Sequence, residues 1–245
     1  MVGILIAAGV TTVLVLPIIY VMWWSSKTSW ATLLPFLIQL PMSLLLNLTL
    51  KQWFSGVILG LGLPEFSALL LLLLVAPITE EAVKLLSLPL LWYSPLPHPA
   101  ATGEPVGSWR QIRAGGVMSG LGFGVGEIWA IATLVSLLNP AIGGYPWFFY
   151  QGFIIERFLV VFIHGLTALV SYWGYWRWLP VTYLAAVGLH TAVNAPVIPY
   201  QLGVIGYMPV LLYLVFLSVV AFFVILITLT KPEKRPRRSK GKPNQ

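Results

Sequence analysis

The scarcity of charge is what most constrains this chain. Only 9% of its 245 residues are charged and 58% are hydrophobic, against about 25% and about 45–50% in a typical soluble domain. So few charges cannot cover a water-facing surface of this size, so the chain reads as all-α, a polytopic transmembrane helix bundle. A helix crosses the hydrocarbon core with about 20 apolar residues. Seven runs are long enough: 2 to 24, 30 to 50, 66 to 93, 111 to 138, 150 to 173, 178 to 198 and 208 to 230. The segment 51 to 64, with Lys51, Gly56, Gly60, Gly62 and Pro64, is too short to cross and is expected to be an interfacial or re-entrant connector. Residues 1–230 form a single membrane-embedded domain in this reading, with the motif-bearing core at 66–198. The absence of cysteine removes disulfides, thiolate nucleophiles and Cys-ligated metals.

The net charge of +7 does not describe a nucleic-acid surface. Residues 231–245 hold seven Lys/Arg and one Glu, leaving seven Lys/Arg and six Glu for the rest. The basicity belongs to a tail expected to be disordered, cytoplasmic and attracted to anionic lipid headgroups. Lys27, Arg110, Arg113, Arg177 and the tail fall on one side of seven spans and Lys51 on the other. Positive residues stay inside, so the N-terminus is expected outside and the C-terminus in the cytoplasm. The first run has no basic n-region and no cleavage-site pattern before Trp23, so it is expected to be retained rather than removed as a signal peptide. His98, between two prolines in a loop, reads as solvated.

Ionisable groups inside spans cost several kcal/mol and normally face a bundle interior, which makes each a candidate for function. The third span holds Pro77, Thr79, Glu80, Glu81 and Lys84. Proline disrupts the helix ladder, and Thr followed by two acids suits a restarted helix N-terminus, so a break or kink is expected there. Lys84 stands i+4 from Glu80 and i+3 from Glu81 and can neutralise one of them, leaving the other free for chemistry. The fourth span carries Gly116, Gly120 and Gly124 on one stripe and Gly122 and Gly126 on a second, which lets neighbouring helices approach closely. Glu127 follows. In the fifth span Arg157 and His164 share a face, two turns apart, whereas Glu156 and Arg157 are not expected to face each other. The sixth span stacks His190 over Asn194. At 1.5 Å per residue, Glu80, Glu127, His164 and His190 all fall in a central slab of the membrane, which points to one shared cavity.

This ordered set resembles the PrsW-type intramembrane proteases, within the group that includes the CPBP (Abi) proteins and the CAAX prenyl protease. The matching residues are Glu80-Glu81-x-x-Lys84, Phe123-x-x-x-Glu127, His164 and His190-x-x-x-Asn194, spanning about 66 to 198. One residue departs: Ile128 stands where PrsW-type proteins commonly have Asn next to the FxxxE glutamate. The resemblance implies an integral protein of a prokaryotic cytoplasmic membrane that hydrolyses a peptide bond of a membrane-protein substrate. Glu80 or Glu81 would act as general base on a water, with Glu80 favoured, and His190 and Asn194 would donate to the developing oxyanion. His164 and Glu127 would orient water or peptide, with Lys84, Phe123 and Arg157 in support. Two chemistries stay open: a metal-free glutamate mechanism, or zinc held by Glu127, His164 and His190. Three other readings are a non-catalytic scaffold like the Aph-type component of gamma-secretase, a CAAX-type prenyl-protein protease, and a proton- or ion-coupled carrier, the last weakened by the lack of an inverted repeat.

Overall fold

The computed structural model of the protein describes residues 2–89, 109–174 and 178–231. His98, Arg177 and the tail from 232 onward lie outside the described residues. Helix is the only regular structure among those described, and seven helices are long and apolar enough to cross a membrane. They are α1 (Val2–Ser26), α2 (Trp30–Gly60), α3 (Glu65–Leu85), α4 (Trp109–Leu138), α5 (Trp147–Trp173), α6 (Leu179–Gln201) and α7 (Tyr207–Thr230).

The molecule is apolar inside and out, as lipid requires. In α7, Val210, Leu214, Ser218, Ala221, Ile225 and Leu229 form one buried stripe, while Leu212, Phe216, Phe223 and Ile227 point outward. Lipid tails are as apolar as leucine, so packing and interhelical hydrogen bonds must hold the bundle together. The glycine-rich α4 meets that need from the centre, where every residue from Ala114 to Ile128 is buried. Its two glycine stripes receive two different helices. A Cβ at Gly120 would lie 2.0 Å from the His164 carbonyl oxygen of α5, and one at Gly122 would lie 2.2 Å from the Phe36 carbonyl oxygen of α2. Both distances are far inside van der Waals contact. Gly120→Ala is therefore expected to push α5 away and carry His164 with it. The expected readout is a loss of both thermal stability and activity, whereas Gly188→Ala, where a Cβ would meet open space, should change neither.

Two local expectations give way. The segment expected as a connector is helical over Lys51–Gly60 and runs on from α2 through a π turn at Leu46–Leu50. Gly56 and Gly60 are accommodated within the helix, and Gly62, at φ +63°, lies in the turn that follows it. Likewise α3 is one helix from Glu65 to Leu85 with Pro77 inside it, and no restart occurs at Thr79. Proline's φ already suits a helix, and the Thr79 hydroxyl does not cap. It donates instead to the carbonyls of Val75 at 2.9 Å and Ala76 at 3.0 Å, the way hydroxyls support proline-containing membrane helices. Glu80 and Glu81 thus stand about one turn before the C-terminal end of the helix, where the dipole gives a carboxylate no help, and must be neutralised by side chains.

The C-terminal end of α3 is fixed by polar groups of three other helices. The Lys84 carbonyl, one residue from the helix end, accepts from Gln39 Nε2 of α2 at 3.1 Å, Ser119 Oγ of α4 at 2.9 Å and Tyr172 Oη of α5 at 3.1 Å. Carbonyls in a last turn have no intrahelical partner and would be costly in an apolar interior.

Candidate functional site

Eight side chains from five helices meet at one depth: Lys51 of α2, Glu80, Glu81 and Lys84 of α3, Glu127 of α4, Arg157 and His164 of α5, and His190 of α6. All the residues that the sequence singled out converge, with Phe123 beneath them and Asn194 on the cavity wall.

Glu81 is locked. It is fully buried, and its Oε1 accepts from Lys84 Nζ at 2.6 Å and from His190 Nδ1 at 2.8 Å. Lys84 is equally committed, because its other bonds go to His164 Nδ1 at 2.9 Å and Thr167 Oγ1 at 3.1 Å. An ammonium has three N–H groups, and these three acceptors use them all. Its charge also lies 5.0 Å from the centre of the Phe123 ring, within cation–π range.

These bonds fix both histidine tautomers. His164 Nδ1 must accept, since Lys84 can only donate. Its proton is then on Nε2, which donates to Glu127 Oε2 at 3.0 Å. The same oxygen accepts from Arg157 Nη1 at 3.1 Å. Glu127 therefore gains its support from α5, and the neighbouring Ile128 is buried in the apolar core. Arg157 also binds Glu156, so these neighbours do face each other, contrary to the sequence expectation; the long guanidinium reaches across where a short side chain would not. His190 Nδ1 must donate, since the Glu81 carboxylate can only accept. Nε2 lies 3.6 Å from Glu80 Oε2 and, in the neutral ring with this tautomer, carries a lone pair. Asn194, on the cavity wall, carries an amide N–H of the kind an oxyanion needs.

Glu80 and Glu81 each bury an Oε2 with no hydrogen-bond partner, but of the two only Glu80 lines the cavity. Lys51 donates to Glu80 Oε1, and Glu80 Oε2 faces His190 Nε2 at 3.6 Å and His164 Nδ1 at 3.8 Å. Lys51 also bonds Asn47 Oδ1 at 2.8 Å and lies 3.9 Å from Glu127 Oε1. The sequence reading placed Lys51 at the outer surface and missed it; a lysine at i+4 from an Asn, directly after an apolar run, was the available signal.

The group borders a cavity of about 330 Å³. One wall is polar, carrying Lys51, Glu80, Glu127, Arg157, His164 and His190; the other is apolar, made of Leu69, Leu72, Leu73 and Ala76 of α3 with Val197 and Ile198 of α6. Its lining extends to Gln201 at the end of α6 and Leu69 near the start of α3.

The residues that approach a common metal position are Glu80, His164 and His190, each offering one ligand atom within 4.8 Å of the others. Glu127 drops out of the expected set because it sits on the opposite nitrogen of His164. The remaining donors are of the kind zinc accepts, but the His164 Nδ1 lone pair is already taken by the Lys84 ammonium at 2.9 Å. Three cations, Lys51, Lys84 and Arg157, already pair with Glu80, Glu81 and Glu127. A dication bound there would have to displace the Lys84 ammonium from His164 Nδ1 and compete with Lys51 for Glu80. Comparison with protein-family models, with curated proteins and with solved structures returns no significant match.

Proposed function

We propose that the chain is an intramembrane endopeptidase of the PrsW type, hydrolysing a peptide bond of a membrane-protein substrate with a water activated by Glu80. The observation that carries this reading is Glu80 Oε2, buried with no hydrogen-bond partner and 3.6 Å from Nε2 of a neutral His190, both residues lining the cavity. Two acceptors at that distance suit one donor between them, and a water donating to both would turn its lone pairs toward the cavity. As the water oxygen bonds to the carbonyl carbon, its proton passes to Glu80 Oε2. The protonated Glu80 then gives that proton to the amide nitrogen as the C–N bond breaks. Asn194 donates to the oxyanion. The apolar wall of α3 and α6 suits the side chains of a transmembrane peptide, and the ion pairs keep the polar wall ordered in a low-dielectric setting.

The second reading with an observation of its own is zinc chemistry, supported by the approach of Glu80, His164 and His190; bound there, the metal would supply a Lewis acid for the same hydrolysis. One experiment separates them. Purified protein in proteoliposomes, given a single-span membrane substrate, is expected to cleave it with or without a chelator and to contain no stoichiometric zinc. Zinc at one per chain, lost together in His164→Ala and His190→Ala, would move the reading to metal chemistry. No cleavage at all would remove the protease reading and leave the scaffold or carrier.

A further inference from the structure

We infer that Lys51 is a positioning residue for this reaction: it holds the Glu80 carboxylate by Oε1, so that Oε2 stays turned toward His190 Nε2 and the cavity. The inference rests on the hydrolytic reading of Glu80. Among the described residues, Lys51 is the one Lys or Arg in hydrogen-bond contact with Glu80. Lys84 cannot substitute, because its three N–H groups are already engaged. A glutamate mid-membrane with no cation would turn or retreat from a low-dielectric wall, or stay neutral and unable to take a proton.

The local structure of α2 is shaped to aim this lysine. A π turn occupies Leu46–Leu50, immediately before it. Such a turn inserts about one residue into the helix and so rotates everything after it by about 100°, and π turns occur often at functional sites. Side chains bond two backbone carbonyls around it. Gln52 Nε2 donates to the Asn47 carbonyl at 3.2 Å, and Asn47 Nδ2 donates to the Ser43 carbonyl at 2.8 Å. Asn47 Oδ1 is thereby left to accept from Lys51 at 2.8 Å, which fixes the ammonium between Glu80 and Glu127. Both buried pairs of α3 neutralise a glutamate, but Glu81–Lys84 lies within one helix and is sealed. The Lys51–Glu80 pair joins two helices and faces the cavity, with 17% of the lysine side chain exposed. Water, and a small reagent, can therefore reach Lys51.

The cysteine-free chain makes the test specific. Lys51→Cys is expected to lower kcat about 10²-fold, the scale of an approximately 1 Å misplacement of a reacting group, with KM nearly unchanged. Treatment with 2-aminoethyl methanethiosulfonate, which returns an ammonium to position 51, should recover much of kcat; methyl methanethiosulfonate, which adds no charge, should recover none. Wild-type kcat in Lys51→Cys, or equal recovery with both reagents, would overturn the inference. If wild-type protein cleaves nothing, the hydrolytic reading fails on its own, and a melting-temperature cycle still decides the contact. Lys51→Met should lower the melting temperature by several degrees in the wild-type background and by clearly less in Glu80→Gln. Equal lowering in both backgrounds would show that Lys51 does not hold Glu80.

Discussion

Glu80→Gln is expected to abolish turnover of a membrane substrate while leaving the fold intact. The amide oxygen can still accept from Lys51 and the amide N–H can donate toward His190 Nε2, so the contacts that hold residue 80 survive. What is lost is the ability to take a proton, and a general base alone is worth about 10²–10⁴-fold in rate. Glu81→Gln makes the contrast. Its Oε1 only accepts, from Lys84 and His190, and an amide oxygen accepts too, with bonds weakened from charge-assisted to neutral. A cost of about 1–1.5 kcal/mol corresponds to roughly a tenfold loss. Rates of the two purified variants, measured beside their melting temperatures, check the division of labour; equal losses in both would contradict it.

Lys84→Ala is expected to cost about 3–5 kcal/mol of stability, the penalty for stranding a buried charge. The residue is fully buried, and its removal leaves Glu81 Oε1 with only His190, and His164 Nδ1 with no donor. The companion variant removes both charges. Lys84→Met with Glu81→Gln should regain much of the lost stability, because replacing a whole buried pair is far less costly than breaking it. Reversible unfolding in mild detergent measures both. Were the double variant as unstable as the single one, the ion pair would not be the reason for Lys84.

The architecture was legible because the signals that write it are long. Seven apolar runs set seven spans, and the i+4 glycine spacing in α4 anticipated two close helix contacts. The polar residues of α3 to α6 were legible as a site because a charge inside an apolar run is costly unless it faces a shared polar interior, and depth arithmetic alone brought Glu80, Glu127, His164 and His190 together. What escaped depends on phase and competition. Lys51 seemed to end a span because a π turn has no composition signature, and without that turn the lysine would face elsewhere. Pro77 was overvalued as a breaker because its effect depends on which donors lie near, and the Thr79 hydroxyl went to backbone carbonyls. The expected metal set chose Glu127 over Glu80, since spacing cannot say which nitrogen of His164 a carboxylate will meet.

The most direct test of the central claim follows the oxygen. Proteoliposomes holding the protein and a single-span substrate, incubated in water enriched in oxygen-18, should release an N-terminal fragment whose new carboxylate carries one heavy oxygen by mass spectrometry. Glu80→Gln should release none above background. Intact substrate with the wild type, or labelled fragment from Glu80→Gln at the wild-type rate, would contradict a peptide hydrolase that works through a water held by Glu80.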